Sequence, residues 1–155
     1  MGQNNLYNLI MILSNFKDFV AAVPPQGRLV GIDWGARRTG VAISDETHDF
    51  VFPRTAISGD GPIPKILNII ASEKVKGIVI GLPLRTNGVE SETTAAVREF
   101  AGQLVNATDT PIVFMDEALT SSEASGFTRD KSKLDSAAAA IILENAIAMM
   151  KRNCE

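Results

Sequence analysis

Leu29-Val30-Gly31-Ile32-Asp33-Trp34-Gly35-Ala36-Arg37-Arg38-Thr39-Gly40-Val41-Ala42-Ile43-Ser44 is the stretch whose reading decides the fold. Its first apolar run predicts a short buried strand that ends on Asp33. Gly35-Ala36 predicts a turn, and residues 39–44 a second strand. The two make a hairpin with a somewhat long loop. Residues 45–49 are polar and turn the chain again. Phe50-Val51-Phe52 and Thr55-Ala56-Ile57 predict a third strand, which Pro53 interrupts; a proline there favours an edge position.

Beyond the hairpin the pattern changes. Ile63, Ile66, Leu67 and Ile70 recur at helical spacing, and Gly77-Ile78-Val79-Ile80-Gly81-Leu82 is a buried strand. Val97, Phe100, Ala101, Leu104 and Val105 mark the next helix, and Pro111-Ile112-Val113-Phe114-Met115 the next strand. A short helix near residues 120–126 follows. Ala138, Ala139, Ile142, Ala146 and Met149 mark a long final helix. Before the hairpin, Leu6, Leu9, Ile10, Leu13, Phe16 and Val20 predict an amphipathic helix over 4–21, ended by Pro24-Pro25. The order predicts an α/β fold, a mixed five-stranded sheet with helices on its faces, plus an N-terminal helix. Residues 1–27 read as a helical extension packed on one domain, 28–155.

At 155 residues, 45% of them hydrophobic and 21% charged, the chain suits one soluble domain that needs no disulfide. Cys154 is the single cysteine and sits beside the end of the chain, which fits a reducing compartment. The apolar stretch at residues 9–13 is too short for a membrane span and has no preceding positive charge, so a cytoplasmic protein is expected. A net charge of −3 argues against non-specific coating of nucleic acid. It leaves a metal-loaded site open, because bound cations invert the local charge.

Four acids sit where elements begin or end. Asp33 closes the first strand; it either starts a turn or projects into a crevice at the sheet's end. Asp116 and Glu117 follow a buried strand, and alternation sends them to opposite faces, so only one need join Asp33. Asp135 opens the final helix on its apolar stripe, with Ala138, Ala139 and Ile142 at +3, +4 and +7. Ser132-Lys133-Leu134-Asp135 also fits a capping box, which would give Asp135 a purely structural role. If these acids converge, cations must offset their repulsion. Oxygen ligands without a cysteine or histidine cluster point to Mg²⁺ or Mn²⁺. Arg37 and Arg38 lie in the hairpin loop, Arg85 follows a strand in a glycine loop, and Lys133 precedes Asp135. All four are candidate phosphate contacts, as surface side chains often are not. His48 reads as solvated surface. Residues 126–131, with glycine, charge and few apolar anchors, read as a segment that opens locally.

These residues carry a family resemblance. Gly31-Ile32-Asp33-Trp34-Gly35, Arg38-Thr39-Gly40-Val41-Ala42-Ile43-Ser44-Asp45, Gly81-Leu82-Pro83, Asp116-Glu117 and Lys133-Leu134-Asp135-Ser136-Ala137-Ala138 resemble the YqgF (RuvX) family over roughly residues 28–150. Its members are Holliday junction resolvase-like proteins, also described as nucleases that mature the precursor of 16S ribosomal RNA. The resemblance implies a ribonuclease H-like fold and a hydrolase of phosphodiester bonds. It also implies a role in ribosome biogenesis, with catalytic and metal-holding acids at Asp33, Asp116-Glu117 and Asp135. The implied partner is ribosomal RNA precursor or branched DNA; a homodimer is left open. Ala118 stands where the family carries arginine, and the segment between Glu123 and Lys133 is shorter. Two other classes compete. A non-catalytic RNA- or protein-binding module would fit Ala118. A nucleotide-binding enzyme of the sugar kinase and actin group would fit Asp33-Trp34-Gly35, but it needs a second phosphate loop and a second domain.

Overall fold

The structure, a computed structural model, describes residues 12–13, 15–59, 61–83, 91–116 and 131–153, with side chains of the last helix from 136 to 152. Its strands are β1 (Ile12–Leu13), β2 (Leu29–Asp33), β3 (Arg38–Ser44), β4 (Val51–Pro53), β5 (Ile57–Ser58), β6 (Gly77–Leu82) and β7 (Ile112–Asp116). Its helices are α1 (Phe16–Ala22), α2 (Ile63–Ser72), α3 (Glu92–Val105) and α4 (Lys131–Asn153). The sheet order is β1-β7-β6-β2-β3-β4, with β5 pairing β3. Strands β1, β7, β6 and β2 are parallel neighbours, and β3, β4 and β5 are antiparallel additions. The mixed sheet and its helical layers agree with the expected class.

The two-residue repeat of the strands builds two cores. Val30, Ile32, Val41, Ile43, Ile78, Ile80 and Ile112 face α2 and α3, where Ile66, Val97, Phe100 and Leu104 are buried. Ala42, Val79 and Val113 face α4 and α1, meeting Ile142, Leu143, Ala146, Phe16 and Phe19. Each large aliphatic side chain buried this way stabilises the fold by about 1.5–3 kcal/mol.

Several expectations need correction. The helix expected over 4–21 is shorter where it is described, because Ile12 and Leu13 form a strand paired with Ile112 and Val113. A short apolar run does not distinguish strand from helix by spacing. Helix α1 starts where Asn15 caps it, its Oδ1 accepting the Asp18 N–H at 2.9 Å. The third strand is two, β4 and β5. Pro53 ends β4 on the sheet edge, and pairing with β3 resumes at Ile57. Among the described residues six strands therefore lie in line, with β5 beside β3, rather than five. The helix near 120–126 and the stretch 126–130 lie outside the described residues.

His48 is half-buried rather than solvated: it has φ 61° and its Nε2 donates to the Gly27 carbonyl at 2.7 Å. The turn before it is organised by Asp45. Oδ1 accepts the backbone N–H groups of Phe50 at 3.0 Å and Asp49 at 2.8 Å. Oδ2 accepts the Thr47 hydroxyl at 2.9 Å. The Phe50 N–H, with lesser help from Thr47 and Asp49, holds the Asp45 carboxyl below its ordinary value. At the same end of the sheet, Glu73 accepts from Arg28 at 2.9 Å and also pairs with Arg54. Gly77 accommodates α1 there: a Cβ would stand 2.7 Å from Phe19 Cζ and 2.9 Å from Val23 Cγ1.

Candidate active site

Three neighbouring parallel strands, β2, β6 and β7, end together, and Asp33 and Asp116 are the last residues of the outer two. Ile32 is level with Ile80, and Gly81 with Met115. Carried one residue on, this register sets Asp33 beside Gly81 and level with Met115, leaving Asp116 one residue further out. The β2–β3 hairpin tip, with Arg37 and Arg38, turns at this same end. So does the start of α3: Ser91 caps it, and the Thr94 hydroxyl donates to the Pro83 carbonyl just past β6 at 3.3 Å.

Two glycines shape the surroundings of Asp33. A Cβ on Gly35 would stand 2.5 Å from the Arg38 carbonyl oxygen, so the loop closes this tightly only without one. A Cβ on Gly31 would stand 2.7 Å from the Ala139 carbonyl oxygen and 2.8 Å from Leu143 Cβ. Helix α4 therefore lies directly on the β2 backbone. Asp33, two residues on, faces the same side. Trp34 takes the other side and packs on Phe100 of α3.

The direction of α4 follows from two contacts. The Val41 N–H, opposite Ile32, donates to Ser136 Oγ at 3.5 Å, while Ala139 covers Gly31. Helix numbers fall as β2 numbers rise, so α4 runs antiparallel to β2. Asp135 occupies the position one turn before Ala139. Four helical residues advance ~6 Å, and the two from Gly31 to Asp33 span ~6.6 Å. The α4 backbone at Asp135 is thus level with Asp33. Helix α4 already includes Lys131, which puts Asp135 in its second turn. Ser132, where a capping box was expected, lies within helical backbone, and its side chain is outside the described residues.

Asp116 ends β7 on the other face of the sheet from Asp33. Met115 packs with Val79 and Val113 on the α4 side, and Phe114 packs on the α2–α3 side. Alternation puts Asp116 with Phe114, on the opposite face from Asp33. Asp116 is exposed, whereas Asp33 is half-buried. Arg37 is exposed and Arg38 half-buried; Asp33 and Arg38 both make further interactions. Glu117 and Arg85 lie outside the described residues, as do the side chains of Lys133 and Asp135. Among the described residues no three acids, histidines or cysteines gather as a metal-binding group. The donor available at the strand ends, the Asp33 carboxylate, is a hard oxygen ligand of the kind Mg²⁺ and Mn²⁺ take.

Sequence reasoning did not single out Gly31 or Ser136. The signal for Gly31 was present: a glycine inside a strand marks a close approach of another backbone.

With this geometry in place, comparison with known proteins is decisive for the family. A family model described as RuvX, Holliday junction resolvase, matches residues 27–149. A protein of Rickettsia canadensis named "Putative pre-16S rRNA nuclease" is 34% identical over 153 residues, 92% of this chain and 99% of its own length. One of the same name from Maridesulfovibrio salexigens is 42% identical over 132 residues, 78% of this chain and 98% of its own. Among solved structures, Thermus thermophilus RuvC in complex with a Holliday junction substrate superposes with a TM-score of 0.53 at 10% identity. That match covers 81% of this chain and 96% of that one. The yeast mitochondrial Holliday junction resolvase gives 0.52 at 12% identity, covering 90% and 85%.

The fold is that of the ribonuclease H-like resolvases, and the relatives are nucleases, hydrolases of phosphodiester bonds. The chain belongs to the RuvX family. No helix among the described residues is long and apolar enough to cross a membrane.

Proposed function

We propose that this chain is a metal-dependent nuclease that cuts structured RNA, with the precursor of 16S ribosomal RNA as its substrate, in the cytoplasm. One observation carries the reading: half-buried Asp33 closes β2 on the face that α4 covers, where the α4 backbone at Asp135 is level with it. Asp135 stands in the second turn of α4 rather than at its cap. The third acid is then Glu117 rather than Asp116, because Asp116 ends β7 on the other face of the sheet from Asp33.

Asp33, Glu117 and Asp135 would hold Mg²⁺ or Mn²⁺, which when bound supplies an activated water and neutralises charge on the leaving oxygen. Arg37, Arg38, Arg85 and Lys133 would bind phosphates along the substrate, supplying locally the positive charge that the chain lacks overall. The reaction needs one chain; a homodimer would present two such sites. Branched DNA is the second reading, favoured by the family description and by the resolvase fold.

The test is a cleavage assay with purified protein on precursor 16S ribosomal RNA and on a four-way DNA junction, with and without Mn²⁺. Mn²⁺-dependent cutting of the RNA is expected. Cutting of the junction alone would replace the substrate. Binding of either without cutting would turn the reading to a non-catalytic module.

A further inference from the structure

We infer that Gly31 and Ser136 are positioning residues that set the separation between Asp33 and Asp135, and with it the affinity for the divalent cation. The inference rests on the function proposed above. Neither residue touches substrate or metal in this account; both act through helix α4.

Gly31 sits inside β2, away from any turn, and its backbone is ordinary extended strand. Its value is therefore not conformational freedom but the absence of a side chain. The Ala139 carbonyl and Leu143 Cβ occupy the space a Cβ would need, at 2.7 and 2.8 Å. Leu143 is fully buried and Ala139 is backbone at the contact, so neither can swing aside. A methyl at Gly31 would lift α4 from β2 instead. One helical turn further, at Asp135, that lift becomes a change in spacing from Asp33.

Ser136, adjacent to Asp135 and 1% exposed, fixes the same helix along and across the sheet through the Val41 N–H. The two contacts are complementary. Gly31 sets the height of α4 above β2, and Ser136 ties its early part to β3. A cation held by acids from separate elements tolerates little change in their spacing, since Mg²⁺ and Mn²⁺ sites demand near-octahedral geometry.

Gly77 provides the control. A Cβ there is crowded as severely, at 2.7, 2.8 and 2.9 Å, but by α1 and Leu29 at the opposite end of the sheet. Wild type, Gly31→Ala, Ser136→Ala and Gly77→Ala are to be compared in two measurements. One is the Mn²⁺ concentration that gives half of the metal-induced rise in melting temperature. The other is kcat and KM on RNA at saturating Mn²⁺.

Gly31→Ala is expected to need at least tenfold more Mn²⁺ and to lose kcat at little change in KM. Ser136→Ala, which adds no bulk and keeps the fold, is expected to move the same way by a smaller factor. Gly77→Ala is expected to melt earlier with and without metal, yet keep the wild-type Mn²⁺ midpoint. Wild-type midpoints in Gly31→Ala or, if that variant does not fold, in Ser136→Ala would overturn the inference while leaving the nuclease reading intact. A wild-type protein that neither gains stability from Mn²⁺ nor cuts RNA would overturn both.

Discussion

The ring of Trp34 lies 6.4 Å from that of Phe100, centroid to centroid, and ties the loop after Asp33 to helix α3. Neighbouring residues of one strand end thus go to opposite layers: Asp33 to α4, Trp34 to α3. Trp34→Ala should cost about 2–3 kcal/mol, less than a fully buried tryptophan, because the ring is only partly covered. Urea unfolding would measure it. The loosened loop carries Arg37 and Arg38, so KM for RNA should rise more than kcat falls. An unchanged KM would detach these arginines from substrate.

Asp33→Asn should reduce cleavage on the order of a hundredfold or more, since it removes the charge that holds the cation but keeps the shape. Melting in metal-free buffer should come no earlier, because one like charge leaves the proposed acidic cluster. Most of the metal-induced stabilisation should vanish. A variant that melts early and still cuts would make Asp33 a turn residue only.

Asp116 and Glu117 should separate sharply. Glu117→Gln is expected to match Asp33→Asn in its loss of rate, on the order of a hundredfold. Asp116→Asn, on the far face and exposed, is expected to stay within about threefold of wild type, as surface changes usually do. Single-turnover rates at saturating Mn²⁺ decide it, and the reverse ranking would refute the face assignment.

Asp45 should mark the acid limit of stability. Its folded-state pKa lies below the ordinary 3.8, chiefly through the Phe50 N–H. The stability it contributes is fully present above that ordinary value and is lost as pH falls through the lower folded one. Asp45→Asn should be less stable than wild type at neutral pH, and the gap should narrow as pH falls below the ordinary 3.8. Urea midpoints across that range test it; a gap that widens on acidification would contradict the sign.

Much of this was legible in the residues. The strand from Leu29 to Asp33 and the strand from Gly77 to Leu82 were readable because buried parallel strands are continuous apolar runs. The level placement of Asp33 and the α4 backbone at Asp135 was not. It depends on the direction of α4 over β2, and that is fixed by Gly31 and Ser136 rather than by any pattern within the helix. The opposite faces of Asp33 and Asp116 were also hidden, because they depend on register across β6. Leu13 misled, since its helical spacing to Phe16 and Val20 runs across Asn15, where the helix in fact begins.

Strand β1 has a consequence for synthesis. Ile12 pairs with Ile112 and Leu13 with Val113, partners made a hundred residues later. Phe16 and Phe19 of α1 likewise wait for Leu143 and Ala146 of α4. At a ribosome adding about 5–20 residues per second, the earliest described part of this chain stays apolar and uncovered for several seconds. During that interval the hairpin of β2 and β3 can close on itself. Strand β1 therefore has to wait for β7, while β2 and β3 already have each other.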